Sequence, residues 1–185
     1  MTATLEREIK LRFDSPEAAR AAVIEAGATP VRGRRLQEDC LLDTADDLLR
    51  RRGLALRVRM ESGKSLLTFK GPVQPSAMKL REELETIVGD GTLMLRILEE
   101  LGFQIWFRYQ KYREELALED VIVAIDETPV GTFVEIEGGE RSIAVFAGAL
   151  GRTPGDYLVE SYRSLFVRYC EERGLPPTHM LFDDE

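Results

Sequence analysis

The sequence predicts an α+β fold in which eight β-strands close into a barrel and helices cover its outside. Three observations carry that expectation. Eight segments alternate apolar and polar side chains with a period of two, near residues 4–13, 34–43, 54–61, 64–71, 80–88, 105–116, 119–126 and 131–138. Between and after them lie helical segments whose apolar sides need a surface to pack on, and the apolar strand faces offer one. The polar strand faces hold almost only Glu, Arg and Lys, often as doublets two residues apart. On any single strand such a face is an ordinary solvated face of an antiparallel sheet; if helices take the apolar faces throughout, the charged faces must turn inward.

Each element follows from its residues. The first strand sets Glu6, Glu8, Lys10 and Arg12 against Leu5, Ile9, Leu11 and Phe13. Ser15, Pro16 and Glu17 then supply an N-cap, a first-turn proline and an acid for the helix dipole, and Gly27 supplies a left-handed stop. Residues 46–51 suggest a short helical turn. Arg57 and Arg59 oppose Leu56, Val58 and Met60, and Thr68 and Lys70 oppose Leu67 and Phe69. Arg81, Glu83 and Glu85 face away from Leu80, Leu84 and Val88. Asp90 and Gly102 bracket a second long helix. Lys111 and Arg113 share one face of the sixth strand, Asp126 shares a face with Ile122 and Ala124, and Glu135 and Glu137 oppose Val134 and Ile136. A third helix is expected over residues 140–150 and a fourth over 157–173, ended by Gly174 and Pro176. An offset of 75 residues lays Glu8 on Glu83, Val23 on Leu98 and Gly27 on Gly102. Two βαβ-like halves would explain that echo, and so would a chance match of two strand-helix units.

Composition bounds the function. The 185 residues suffice for one domain, residues 1–185, with a proper core, and no Ser/Gly/Pro-rich linker divides them. No apolar run approaches the roughly 20 residues of a membrane span, and the N-terminus lacks the pattern of a signal peptide. Cys40 and Cys170 are far apart with no metal-binding spacing, which favours free thiols in a reduced, cytoplasmic setting. A net charge of −8 argues against nucleic acid as a partner. His179 is the one histidine and lies near the C-terminus, which argues against histidine-built zinc sites and histidine-dependent nucleophile triads. A bound metal would use carboxylate oxygens, the donor type of Mg²⁺ or Mn²⁺.

An inward charge lining needs compensation. Two carboxylates about 5 Å apart repel by roughly 3 kcal/mol at an effective dielectric near 20, and Glu6, Glu8, Glu83, Glu85, Glu135 and Glu137 would crowd one cavity. Divalent cations would remove that repulsion. The facing arginines and lysines would be neutralised by a polyanion through forked guanidinium bonds, and a phosphate chain bridging metals and basic side chains satisfies both demands.

The residues Glu6-x-Glu8-x-Lys10 resemble the ExExK signature of the CYTH superfamily, the triphosphate tunnel metalloenzymes. They are followed in the family's order by LDT at 42–44, RRGLALRVR at 51–59, LTFKGP at 67–72, REELE at 81–85, KYRE at 111–114, IDE at 125–127, GTFVEIEG at 131–138 and SYRSLF at 161–166. The resemblance implies an eight-stranded antiparallel tunnel flanked by helices that binds a small-molecule triphosphate with Mg²⁺ or Mn²⁺. By position it implies Glu6, Glu8, Glu135 and Glu137 as metal ligands, with Glu83 and Glu85 at a second metal or its water shell. Lys10, Arg57, Arg59, Lys70, Arg81, Lys111 and Arg113 become the phosphate clamp, with Lys10, Arg57 and Arg59 joining Glu6 and Glu8 in catalysis, and Asp126 an orienting partner. Asp43 reads as a structural cap. The implied activity is hydrolysis of inorganic, thiamine or nucleoside triphosphate. Alternatives are cyclisation of ATP to cyclic AMP and pyrophosphate, from which the compact segment before Arg57 departs, and a non-catalytic polyphosphate-binding module. The chain is expected to act as a monomer or homodimer.

Overall fold

The computed structural model describes residues 4–183. Eight strands, β1 (Thr4–Phe13), β2 (Thr29–Thr44), β3 (Ala55–Glu61), β4 (Lys64–Lys70), β5 (Lys79–Val88), β6 (Phe103–Leu118), β7 (Val121–Thr128) and β8 (Gly131–Glu137), form a closed barrel. Around it the order is β1-β5-β4-β3-β2-β6-β7-β8, with every neighbouring pair antiparallel. The helices are α1 (Pro16–Glu25), α2 (Leu48–Arg51), α3 (Gly91–Glu100), α4 (Glu140–Ala149) and α5 (Tyr162–Arg173). None of the described helices is long and apolar enough to cross a membrane.

The echo at an offset of 75 has a structural counterpart. α1 and α3 occupy equivalent spans, begin at caps Ser15 and Asp90, and end before Gly27 and Gly102, both at left-handed φ (97° and 93°). Strand β1 pairs with β5 and β2 with β6, so two four-stranded halves meet at these two seams.

Burial sorts the strand faces as the alternation requires. Ile9, Leu11, Val123, Ile125, Val134 and Ile136 point outward from β1, β7 and β8 into a core closed by Ala19 and Val23 of α1 and by Ile143, Phe146 and Ala147 of α4. A second outer core packs Leu98 of α3 on Leu42 and Val58. Each fully buried side chain of this size contributes roughly 1.5–3 kcal/mol. With the outer apolar faces covered, the alternate residues have only the barrel interior to enter.

The fourth helix begins at Tyr162 rather than near 157. Residues before it run extended, because β1 leaves β5 at Glu8 and exposes a free edge at Lys10. Leu158 fills that edge, exchanging two 2.9 Å backbone hydrogen bonds with Lys10, a use of backbone groups that a helix would forbid. Met180 of the C-terminal segment does the same for the free edge of β6, donating to Arg108 O at 3.0 Å and accepting from Gln110 N at 2.9 Å. α5 thereby lies across one end of the barrel. There Leu165 and Phe166 pack with Phe107 and Phe133 from the inner faces of β6 and β8.

Candidate functional site

The remainder of the interior is a cavity of about 490 Å³, within the range of small-molecule sites, roughly 300–1,000 Å³. Glu6, Glu8 and Lys10 from β1, Arg57 and Arg59 from β3, and Lys70 from β4 all line it. So do Arg81, Glu83 and Glu85 from β5, Lys111 and Arg113 from β6, and Glu135 and Glu137 from β8. Asp126 lies fully buried behind Lys111 and Arg113. Eleven cationic and eight acidic side chains line the cavity, an excess of positive charge inside a chain whose net charge is −8.

The two sides differ in balance: β2, β3 and β6 carry mostly cations, while β1, β5 and β8 carry acids with lysines between them, and Arg113 of β6 reaches across to pair with Glu135 of β8. On the β2-β3-β6 side, Asp39 accepts from Arg59 at 2.9 Å and lies 3.4 Å from Arg57, while Asp126 accepts from Lys111 at 2.8 Å and from Arg113 Nε at 2.7 Å. These buried acids fix the fork orientation of the guanidinium groups. Burial opposes ionisation of Asp39, yet Arg59 and Arg57 hold its pKa below the usual carboxylate value. The Lys111 ammonium is pushed down to about 8 by burial and by Arg113 beside it. Arg81 donates to Gly71 O at 2.8 Å and makes no ion pair among the described residues.

On the β1-β5-β8 side, lysines stand between carboxylates. Lys70 lies 2.7 Å from both Glu6 and Glu83, and Lys10 lies 3.1 Å from both Glu8 and Glu135. Lys79 adds a 2.6 Å pair to Glu8. Burial would raise Glu8 and Glu135, but the facing cations, Lys10 first, hold both below the ordinary value. Glu137 has no such partner among the described residues. Partial burial, together with Glu6, Glu8 and Glu83, pushes its carboxyl up to about 7. Glu85 stands apart, accepting from Thr68 at 2.8 Å and from Arg57 at 3.4 Å.

Among the described residues no three acids already converge on one metal position, since lysine ammoniums occupy the spaces between them. The donor set nevertheless fits a hard divalent cation. It consists of carboxylate oxygens, the donor type of such an ion.

Among the inward residues not singled out by the strand pattern, Gln37 and Lys79 line the cavity and Asp39 lies buried behind it. Gln37 donates to Glu61 at 2.5 Å and Glu61 also accepts from Arg32 at 2.7 Å, tying β2 to β3 near the open end. Asp39 and Gln37 alternate on the inner face of β2, a signal blurred by Glu38 between them. Lys79 precedes the expected start of its strand. Ser161 and Tyr162, which the sequence leaves as either reaching the cavity or seating the last helix, both line it. Asp43 is a cap as expected, accepting from the backbone of Leu49 at 2.8 Å and Arg50 at 3.0 Å. Trp106 lies under the Arg50 guanidinium, 4.4 Å from ring to cation, at the edge of the apolar cluster around Phe107.

The structure is thus a closed antiparallel barrel whose interior is lined by interleaved acidic and basic side chains. The chain belongs to the CYTH domain family, whose model matches residues 4–144. A protein of Methanocaldococcus jannaschii provisionally named an adenylate cyclase is 32% identical over 134 residues, covering 72% of this chain and 76% of that protein. The solved structure of a Pyrococcus horikoshii protein, 26% identical, superposes with a TM-score of 0.74 over 86% of this chain and 98% of that one. A Hippeastrum protein described as a candidate adenylyl cyclase with a dominant triphosphatase activity shares the fold at 23% identity, with a TM-score of 0.63 over 92% and 97% of the two chains.

Proposed function

We propose that this chain is a divalent-metal-dependent triphosphatase that hydrolyses a short triphosphate inside the barrel. The observation that carries the reading is the mixed lining of one cavity: Arg57, Arg59, Lys111 and Arg113 from β3 and β6 and Glu6, Glu8, Glu135 and Glu137 from β1 and β8 all line it, with Arg113 paired to Glu135. A pure anion binder gains nothing from carboxylates aimed at its ligand.

Glu6, Glu8, Glu135 and Glu137 would hold Mg²⁺ or Mn²⁺, with Glu83 and Glu85 supporting a second ion or its waters. The chemistry such an ion supplies when bound is neutralisation of phosphoryl charge and acidification of water. The basic wall orients the phosphate chain and stabilises charge spreading over its oxygens as a phosphoryl group transfers. Asp39 and Asp126 keep the guanidinium forks in place before substrate arrives, so little reorganisation is needed then. With His179 on the C-terminal segment bonded to Arg108 N, the proton of the attacking water passes to a carboxylate.

The lining also speaks to substrate class. Its aromatic members among the described residues are Tyr109 and Tyr162, both buried, which leaves no open ring face for a nucleobase to stack on. Inorganic triphosphate therefore ranks ahead of nucleoside triphosphates. The name of the Methanocaldococcus relative favours a second reading, cyclisation of ATP. Incubation with inorganic triphosphate, thiamine triphosphate and ATP under each metal, with products resolved by phosphorus NMR, separates them. Orthophosphate supports hydrolysis; cyclic AMP with pyrophosphate supports the second reading; turnover of none of the three contradicts both.

A further inference from the structure

We propose that Tyr162 is a positioning residue through which α5, lying beyond the family-matched segment, sets the ammonium and guanidinium groups of the basic wall. The functional part of this inference rests on the triphosphate reading above; the geometric part does not.

Tyr162 is the first residue of α5, and Ser161 before it caps the helix by accepting from Ser164 N at 3.1 Å. This fixes the angle at which the ring enters the barrel. The ring packs edge-on to Phe133, 5.6 Å between centroids, and tilted on Tyr109 at 6.1 Å. A phenylalanine would serve that packing equally well, so the hydroxyl needs a separate explanation. It donates to Asp126 Oδ2 at 2.6 Å. Asp126 also accepts from Lys111 at 2.8 Å and twice from Arg113, at 2.7 and 2.5 Å. One buried carboxylate thus accepts four donors, and Tyr162 supplies the one that comes from outside the strands.

The ring does a second job. Lys10 Nζ lies 5.3 Å and Lys111 Nζ 4.8 Å from its centroid, within the roughly 6 Å reach of a cation–π contact. Two ammoniums, one from β1 and one from β6, therefore share one aromatic ring. Burial, with Asp126 and Glu135 nearby, raises the phenol pKa well above its usual value, so the hydroxyl remains a donor.

A double-mutant cycle between Tyr162→Phe and Asp126→Asn tests this, read as the affinity for inorganic tripolyphosphate by calorimetry. Tyr162→Phe should weaken binding about tenfold, since a bond to a charged group is lost, and should weaken it less than about twofold further in the Asp126→Asn protein. Equal losses in both backgrounds would mean that the hydroxyl does not act through Asp126 and would overturn the proposal. A second readout needs no ligand. Ring shielding should shift the ε-methylene NMR signals of Lys10 and Lys111 in wild type and Tyr162→Phe but not in Tyr162→Leu, and loss of the hydroxyl in either variant should move the Lys111 Nζ resonance. If wild type binds no tripolyphosphate, the triphosphate reading fails, and the positioning claim is then decided by these signals: unmoved lysine resonances in both variants would overturn it.

Discussion

The two ends of the barrel interior are built from the same strands in the same phase, yet they hold opposite chemistry. On β6 the inward series runs Phe107, Tyr109, Lys111, Arg113, and on β8 it runs Phe133, Glu135, Glu137. At the Phe107 and Phe133 end, α5 brings Leu165 and Phe166 to cover apolar surface. At the other end no helix among the described residues enters, and the lining is charged. Strand geometry alone therefore does not decide whether a barrel interior is core or site; a neighbouring element that can fill it does. The apolar end contributes to stability and the charged end is the candidate for chemistry.

Mutations that separate stability from activity sharpen this contrast. The largest effect expected is on turnover: Glu8→Gln should lower triphosphate hydrolysis by at least about a hundredfold, while Lys10 keeps its pair to Glu135 and the fold survives. Rate and thermal melting measured on one preparation check both halves, and full activity in this variant would refute the role of Glu8. At the apolar end the pattern should invert. Phe133→Ala should cost about 3–5 kcal/mol of stability, read from denaturant unfolding; a loss below about 1 kcal/mol would show that the plug is not a packed core.

A pH effect of intermediate size should come from Lys111 on the basic side. Lys111 is faced by Arg113, Arg59, Asp126, Glu135 and Tyr162, and its ammonium is pushed down to about 8 from 10.5, mainly by burial. Below pH 8 it is charged and grips phosphate; above pH 8 it loses its proton, so kcat/KM should fall as pH rises through 8. Lys111→Arg keeps the charge and should flatten that fall, whereas an unchanged profile would assign the titration elsewhere. The smallest effect expected is at the joint between the two ends: Ser161→Ala removes the α5 cap and should cost about 1 kcal/mol, measurable by chemical unfolding.

Much of this contrast was legible in the sequence, because a period of two assigns every strand residue to one side. The doublets Glu6/Glu8, Arg57/Arg59, Lys111/Arg113 and Glu135/Glu137 were readable as sharing a cavity once helices were granted the outer faces. What parity could not supply was the content of the apolar end. Phe107 and Phe133 continue the charged phase, and only the arrival of α5 from residues 162–173 explains their burial. The start of that helix was misplaced for a related reason, since the free edge at Lys10 that holds Leu158 extended arises from barrel closure between distant segments. Asp39 hid in a local run, Gln37-Glu38-Asp39, where charge on both faces obscures the phase. The lysines wedged between carboxylates are likewise products of register, such as Lys10 opposite Glu135 and Lys70 opposite Glu83.

The most direct test of the charged end is diffraction from crystals soaked with Mn²⁺ and inorganic tripolyphosphate. The expected result is anomalous density for manganese beside Glu6, Glu8, Glu135 and Glu137, with the phosphate chain running from it to Arg57, Arg59 and Arg113. Manganese or phosphate bound only on the outer surface, with the interior unchanged, would contradict it.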